Sequence, residues 1–104
     1  MKLEWSPRAQ HELEQIRDYI AQDSPFFARQ FTEQLLTTVE QLPDFPRKGR
    51  PVPEADYQDT IREIIFQGYR IVYRFLSEDH LQIVTVLHGS RDLGGMDKKP
   101  WGNG

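Results

Sequence analysis

The chain has no cysteine among its 104 residues. That excludes a disulfide framework, a thiolate zinc site and a cysteine nucleophile. No apolar run approaches the roughly 18 residues of a membrane span, so no transmembrane segment is expected. The opening Met1-Lys2-Leu3-Glu4-Trp5 turns charged too early for a secretory signal peptide, and the expected location is the cytoplasm. A basic excess is also missing. Thirteen Lys and Arg stand against sixteen Asp and Glu, for a net charge of −3 and a pI near 5.5. Coating nucleic acid by bulk electrostatics requires a basic face, so this balance argues against it. The charge is unevenly spread. Residues 1–60 carry seven basic against eleven acidic side chains, and residues 61–104 carry six against five. A local arginine cluster stays compatible with that distribution. At 12.3 kDa, with 38% apolar and 28% charged residues, the chain has globular composition and room for one domain.

Two helices are predicted first. Ser6-Pro7 is a start signal, because the Ser hydroxyl caps orphan N–H groups and Pro suits the first helical position. Ala9, Leu13, Ile16 and Ile20 then form one apolar stripe, predicting a helix over 7–22. Ser24-Pro25 repeats the signal, and Phe27, Phe31, Leu35, Thr38 and Leu42 carry a second helix over 25–42. Together they read as an αα-hairpin. Pro43, Pro46, Gly49, Pro51 and Pro53 mark a stiff crossing loop that holds the basic run Arg47-Lys48-Gly49-Arg50.

From Thr60 the pattern changes to strands: Ile61–Phe66, Tyr69–Leu76 and Leu81–His88, all rich in β-branched and aromatic residues. Gln67-Gly68 fits a two-residue hairpin turn. Pairing outward from the turns sets Tyr69 opposite His88, Arg74 opposite Ile83 and Leu76 opposite Leu81. Period two places Ile64, Phe66, Ile71, Val84 and Val86 on one face with Arg62, Tyr73 and His88. The other face receives Arg70, Arg74 and Glu63 with Ile61, Ile65, Val72, Ile83 and Leu87. The helical hairpin covers only one face, so the second is expected to be partly open, a partner surface of apolar residues and arginines. Residues 2–5 offer a fourth strand.

Few residues form a recognisable catalytic set. His11-Glu12-Leu13-Glu14-Gln15 begins like a metalloprotease helix, but Gln15 stands where the second His is needed. His80 and His88 are too far apart in the expected ladder to share an ion. Glu54, Asp56 and Asp59 lack the spacing of a calcium loop. There is no P-loop, dinucleotide fingerprint or nucleophile elbow, and no metal or cofactor is expected. His88-Gly89-Ser90-Arg91-Asp92 contains Ser, His and Asp, but sequence neighbours at a strand end seldom converge as a triad. Arg62, Arg70, Arg74 and Arg91 leave two readings open. They bind phosphates or an acidic peptide, or they are salt-bridged within the fold, for example Arg62 with Glu54 or Asp59 and Arg91 with Asp92.

The order helix, helix, Pro/Gly loop and three strands resembles the RelE/ParE superfamily of bacterial type II toxin–antitoxin systems. Gly49-Arg50-Pro51-Val52-Pro53-Glu54, Ile61-Arg62-Glu63, Gly68-Tyr69-Arg70-Ile71-Val72-Tyr73 and His88-Gly89-Ser90-Arg91-Asp92 carry the resemblance over about residues 3–93. It implies an α+β fold, with an N-terminal helical hairpin packed on a small antiparallel β-sheet. One domain spans 1–93, and a flexible tail is expected over 94–104. It also implies a toxin held inactive by a cognate antitoxin, meeting operator DNA only through that antitoxin and needing no cofactor or membrane. Two targets divide the superfamily. The Arg-Glu-Ile strand and the His-Gly-x-Arg-Asp ending resemble the ParE-like plasmid-stabilisation branch, which poisons DNA gyrase by binding and performs no chemistry. The alternative is a RelE-like ribosome-dependent mRNA endonuclease, for which Arg70, His88 and Arg91 are the catalytic candidates. A third reading is an inactive interaction module of the same fold. On the gyrase reading Arg91 and Trp101 contact the target, and Arg70 and Arg74 contact the antitoxin.

Overall fold

Two serines delimit the helical half. In the computed structural model, which describes residues 1–91, 93 and 99–101, the Ser6 hydroxyl accepts the Ala9 N–H at 3.0 Å. It thereby opens α1 (Pro7–Asp23) with Pro7 at the first position. Ser24 serves both helices. Its N–H donates to the Ile20 carbonyl at 3.0 Å, and its hydroxyl accepts the Phe27 N–H at 3.2 Å to start α2 (Pro25–Glu40). One residue therefore connects the helices. The second helix stops two residues short of its predicted end, and Leu42 is buried in the turn that follows.

The sheet has five strands: β1 (Lys2–Trp5), β2 (Arg50–Pro51), β3 (Ile61–Phe66), β4 (Tyr69–Ser77) and β5 (His80–His88). Their spatial order is β1-β5-β4-β3-β2. β2 through β5 pair antiparallel, whereas β1 runs parallel to β5, matching Lys2 to His80 and Trp5 to Ile83. The sheet is thus mixed, where an antiparallel one was expected. The helical hairpin lies between β1 and the other strands in sequence, and such a crossover permits parallel pairing. The Gln67-Gly68 turn forms as predicted, with both residues at positive φ.

Register follows expectation from Tyr69–His88 to Val72–Thr85 and then slips by one, because Tyr73 pairs with Ile83. Val84 is left as a bulge. Beyond it Arg74 faces Gln82 and Phe75 faces Leu81, correcting the expected Arg74–Ile83 and Leu76–Leu81 pairs. The slip exchanges two neighbours between faces. Ile83 joins the helix-side core with Ala9, Phe31, Leu35, Val39, Ile71, Tyr73 and Val86. Val84 joins the opposite side. Ser6 holds the bulge, its hydroxyl donating to the Val84 carbonyl at 3.2 Å.

The opposite face is not the open surface the sequence suggested. Val52 and Ala55 from the Pro-rich loop, together with Leu93 and Trp101, cover Ile61, Val72, Val84 and Leu87 in a second core. Trp101 is only 6% exposed, so it is not the tip of a free arm. The rest of the expected tail, 94–98 and 102–104, lies outside the described residues. The crossing loop is stiff, as expected. Buried Tyr73 donates its hydroxyl to the Pro46 carbonyl at 2.8 Å and accepts the Gly49 N–H at 3.0 Å. Arg62 donates to the Gly49 carbonyl at 2.6 Å and pairs with Asp59, which also pairs with Arg47.

Candidate functional site

Two polar constellations lie on opposite sides of β4, because successive strand residues point to opposite faces. The first is centred on Arg70. Its Nε donates to Glu63 at 2.6 Å, and its two terminal nitrogens meet the two carboxylate oxygens of Glu54 at 2.7 Å each. Glu63 is fully buried at its side chain and also accepts from Arg50 Nε at 2.8 Å. The guanidinium beside Glu54 holds that carboxyl down at about 2, against the cost of its burial, and the Leu93 N–H adds a further bond. Reciprocally, hydrogen bonding to Glu54 raises Arg70 above its usual value. Arg70 also donates to the Arg91 carbonyl at 3.0 Å, so the network ties down the chain that leaves β5.

The second constellation is a groove of about 310 Å³ between α1 and the end of β5. Glu12, Ile16 and Tyr19 line it from the helix, Tyr69, Val86 and His88 from the sheet, and Arg91 from the turn after β5. The Tyr69 and His88 rings meet edge to face at 5.8 Å. Glu12 runs along the β5 edge beyond the end of β1, where its carboxylate accepts the Thr85 hydroxyl at 2.6 Å and the Val86 N–H at 3.1 Å. That carboxylate supplies a partner which a longer β1 would otherwise provide.

The sites expected from sequence are redistributed accordingly. Arg70 is buried and committed to two carboxylates, the internal-pairing reading that the sequence had left open. Arg62 pairs with Asp59, as one of the sequence alternatives had it. Arg74 donates to Gln82 at 2.9 Å and to the Trp101 carbonyl at 2.5 Å. Neither Arg70 nor Arg74 stands on an open partner face. The possible ribonuclease set is divided, since His88 and Arg91 share the groove while the Arg70 side chain lies across the sheet from it. Asp92, the expected partner of Arg91, is outside the described residues. Among the described residues no cluster of three or more His, Asp or Glu is placed to hold a metal ion, and no helix is long and apolar enough to cross a membrane. Tyr69 and Tyr19 line the groove without having been named as site residues. The Tyr69–His88 pairing was the signal available for the first of them.

Comparison with known proteins gives this geometry its context. Residues 3–93 match the family described as ParE toxin of type II toxin–antitoxin system, parDE. The chain is 30% identical over 87 residues to toxin RelE2 of Caulobacter vibrioides, covering 84% of this chain and 93% of that protein. It is 34% identical over 89 residues to the putative toxin Y4kP of Sinorhizobium fredii, covering 84% and 86% respectively. Its fold matches a solved chain of the chromosomal ParDE system from P. aeruginosa with a TM-score of 0.69, at 20% identity, over 85% of this chain and 95% of that one. With the family matched across nearly all of its length, the chain belongs to the ParE toxins of type II toxin–antitoxin systems.

Proposed function

We propose that the protein inhibits growth by binding and poisoning DNA gyrase, and that a cognate antitoxin neutralises it. The observation that carries this reading is the commitment of Arg70. Ribonuclease chemistry requires cationic donors gathered around a scissile phosphate together with a group that moves a proton. Here the strand arginine suited to that role is neutralised by Glu54 and Glu63, beneath a face covered by Leu93 and Trp101. His88 lies across the sheet from it, in the groove with Arg91. Binding a protein target needs no such convergence, and a chain of net charge −3 meets a protein more readily than it meets RNA. The fold match to a chain from a ParDE pair supports the antitoxin half of the proposal.

The test is to add the purified chain to gyrase supercoiling reactions and to translating ribosomes in parallel. Loss of supercoiling without new mRNA ends, reversed by the antitoxin, is the expected result. Discrete A-site mRNA cuts made by the wild type and absent from His88→Gln would overturn the proposal in favour of the endonuclease.

A further inference from the structure

Arg91 differs from the other arginines of the sheet. Arg50, Arg62 and Arg70 each pair with a carboxylate, and Arg74 is held by Gln82 and the Trp101 carbonyl. The Arg91 side chain is exposed at the α1–β5 groove, and no carboxylate among the described residues pairs with it. Its backbone, by contrast, is fixed at both ends. The N–H donates to the His88 carbonyl at 3.0 Å and the carbonyl accepts from Arg70 at 3.0 Å. Gly89 adds another anchor, donating to the Gly68 carbonyl at 2.7 Å. A Cβ at position 89 would fall 2.8 Å from that oxygen, so the turn sits there only because residue 89 is glycine. A free cation is thus carried on a rigid support.

His88 is oriented beside it. The Ser90 N–H donates to His88 Nδ1 at 3.2 Å and the Ser90 hydroxyl lies 2.7 Å from the same nitrogen, so with Nδ1 accepting, the ring presents Nε2–H. The groove therefore offers an N–H donor next to a guanidinium, with Ile16, Val86 and Tyr69 as apolar walls.

We propose that this groove binds a carboxylate side chain of a protein partner. Arg91 and His88 Nε2–H donate to the carboxylate oxygens, and the walls receive an apolar side chain next to it. The apolar walls favour a carboxylate borne on a peptide over a free phosphate, which has no apolar group to place against Ile16 and Val86. The ligand chemistry stands on the groove alone. That the segment belongs to the poisoned target rests on the gyrase reading above.

The test titrates the labelled full chain with acetyl-Leu-Glu-amide and, separately, with inorganic phosphate, following backbone amide NMR signals. We expect the peptide to shift the signals of Tyr69, His88, Ser90 and Arg91 saturably. Acetyl-Leu-Gln-amide should not. Arg91→Ala should raise the dissociation constant roughly tenfold or more. His88→Gln, which keeps an N–H donor near the Nε2 position, should change it by about threefold or less. Absence of a saturable shift, shifts indifferent to Arg91→Ala, or phosphate saturating the site below the peptide concentration would each overturn the proposal. Gyrase inhibition lost in Arg91→Ala, with antitoxin affinity unchanged, supports the target as the source of the carboxylate. Antitoxin affinity lowered by the same change assigns the groove to the antitoxin and overturns that part. Saturable peptide binding in a chain that leaves gyrase untouched rejects the gyrase reading and upholds the groove.

Discussion

Glu54 grips Arg70 with both carboxylate oxygens, each 2.7 Å from a terminal nitrogen, while Glu63 holds the same guanidinium through Nε. Glu63 reaches on to Arg50, so four charged side chains neutralise one another beside the core of Val52, Val72 and Leu87. Desolvation offsets much of the Coulomb gain in such a cluster, but removing one member leaves a buried charge unmatched.

The first prediction follows from the lowered Glu54 carboxyl. Its folded value of about 2 lies below its ordinary value of 4.5, so its stabilising contribution is complete above pH 4.5 and is lost as pH falls through 2. The contribution is on the order of 3 kcal/mol. Asp59, lowered by its arginines, acts in the same direction, so the comparison that isolates Glu54 is wild type against Glu54→Gln. Urea unfolding should show the variant less stable at pH 7, with the gap closing between pH 4.5 and 2. A gap independent of pH would show that the ion pair is not its origin.

Tyr73→Phe should cost about 1–3 kcal/mol despite the near-identical shape. The lost hydroxyl bridges Pro46 and Gly49, and the Gly49 N–H is left without its acceptor. Burial raises the phenol above its ordinary value, so the effect should be constant across neutral pH. Chemical denaturation measures the cost. Faster amide exchange at Gly49 would locate it in the loop rather than in the core.

Trp101 is buried against the second core, so Trp101→Ala should destabilise the protein by roughly 3 kcal/mol. Position is tested separately with Trp5→Phe, which leaves Trp101 as the sole indole of the two in the chain. Its fluorescence should be blue-shifted and poorly quenched by acrylamide. Quenching equal to that of free indole would place Trp101 in solvent.

Ser6→Ala should cost more than Ser24→Ala, although both serines cap helices. Ser6 also donates to the bulge carbonyl of Val84, so about 2 kcal/mol is expected against about 1 for Ser24. Equal losses in urea unfolding would mean that the bond to the bulge contributes nothing.

Much of this architecture was legible in the sequence because it is fixed locally. The Ser-Pro pairs set the helix starts, Gln67-Gly68 sets the whole β3–β4 register, and pairing back from the second turn places β5 correctly from Tyr69–His88 to Val72–Thr85. What failed depends on distant parts of the chain. The bulge at Val84 lies in Ile83-Val84-Thr85-Val86-Leu87, a run without alternation because it is buried on both faces, and such a run carries no parity signal. The covering of the second face comes from Val52, Leu93 and Trp101, in segments with no periodicity of their own. The ion cluster was half visible. Arg70 and Glu63 share a face in the predicted ladder, although the sequence reading treats that face as a partner surface and does not pair them. The groove was less legible, since α1 reaches the end of β5 only in three dimensions.

The pairing of Lys2 with His80 joins the earliest strand to the latest. During synthesis β1 has no neighbour until β5 emerges, and β5 is also the strand between β1 and β4. Closing so long a loop costs chain entropy before any contact compensates, so folding waits on the C-terminal third of the chain. A ribosome-bound fragment ending before His80 lacks this strand as well as the turn that carries Arg91. Assembly of this fold therefore waits on translation of the last third of the chain, through the pairing of one short parallel strand.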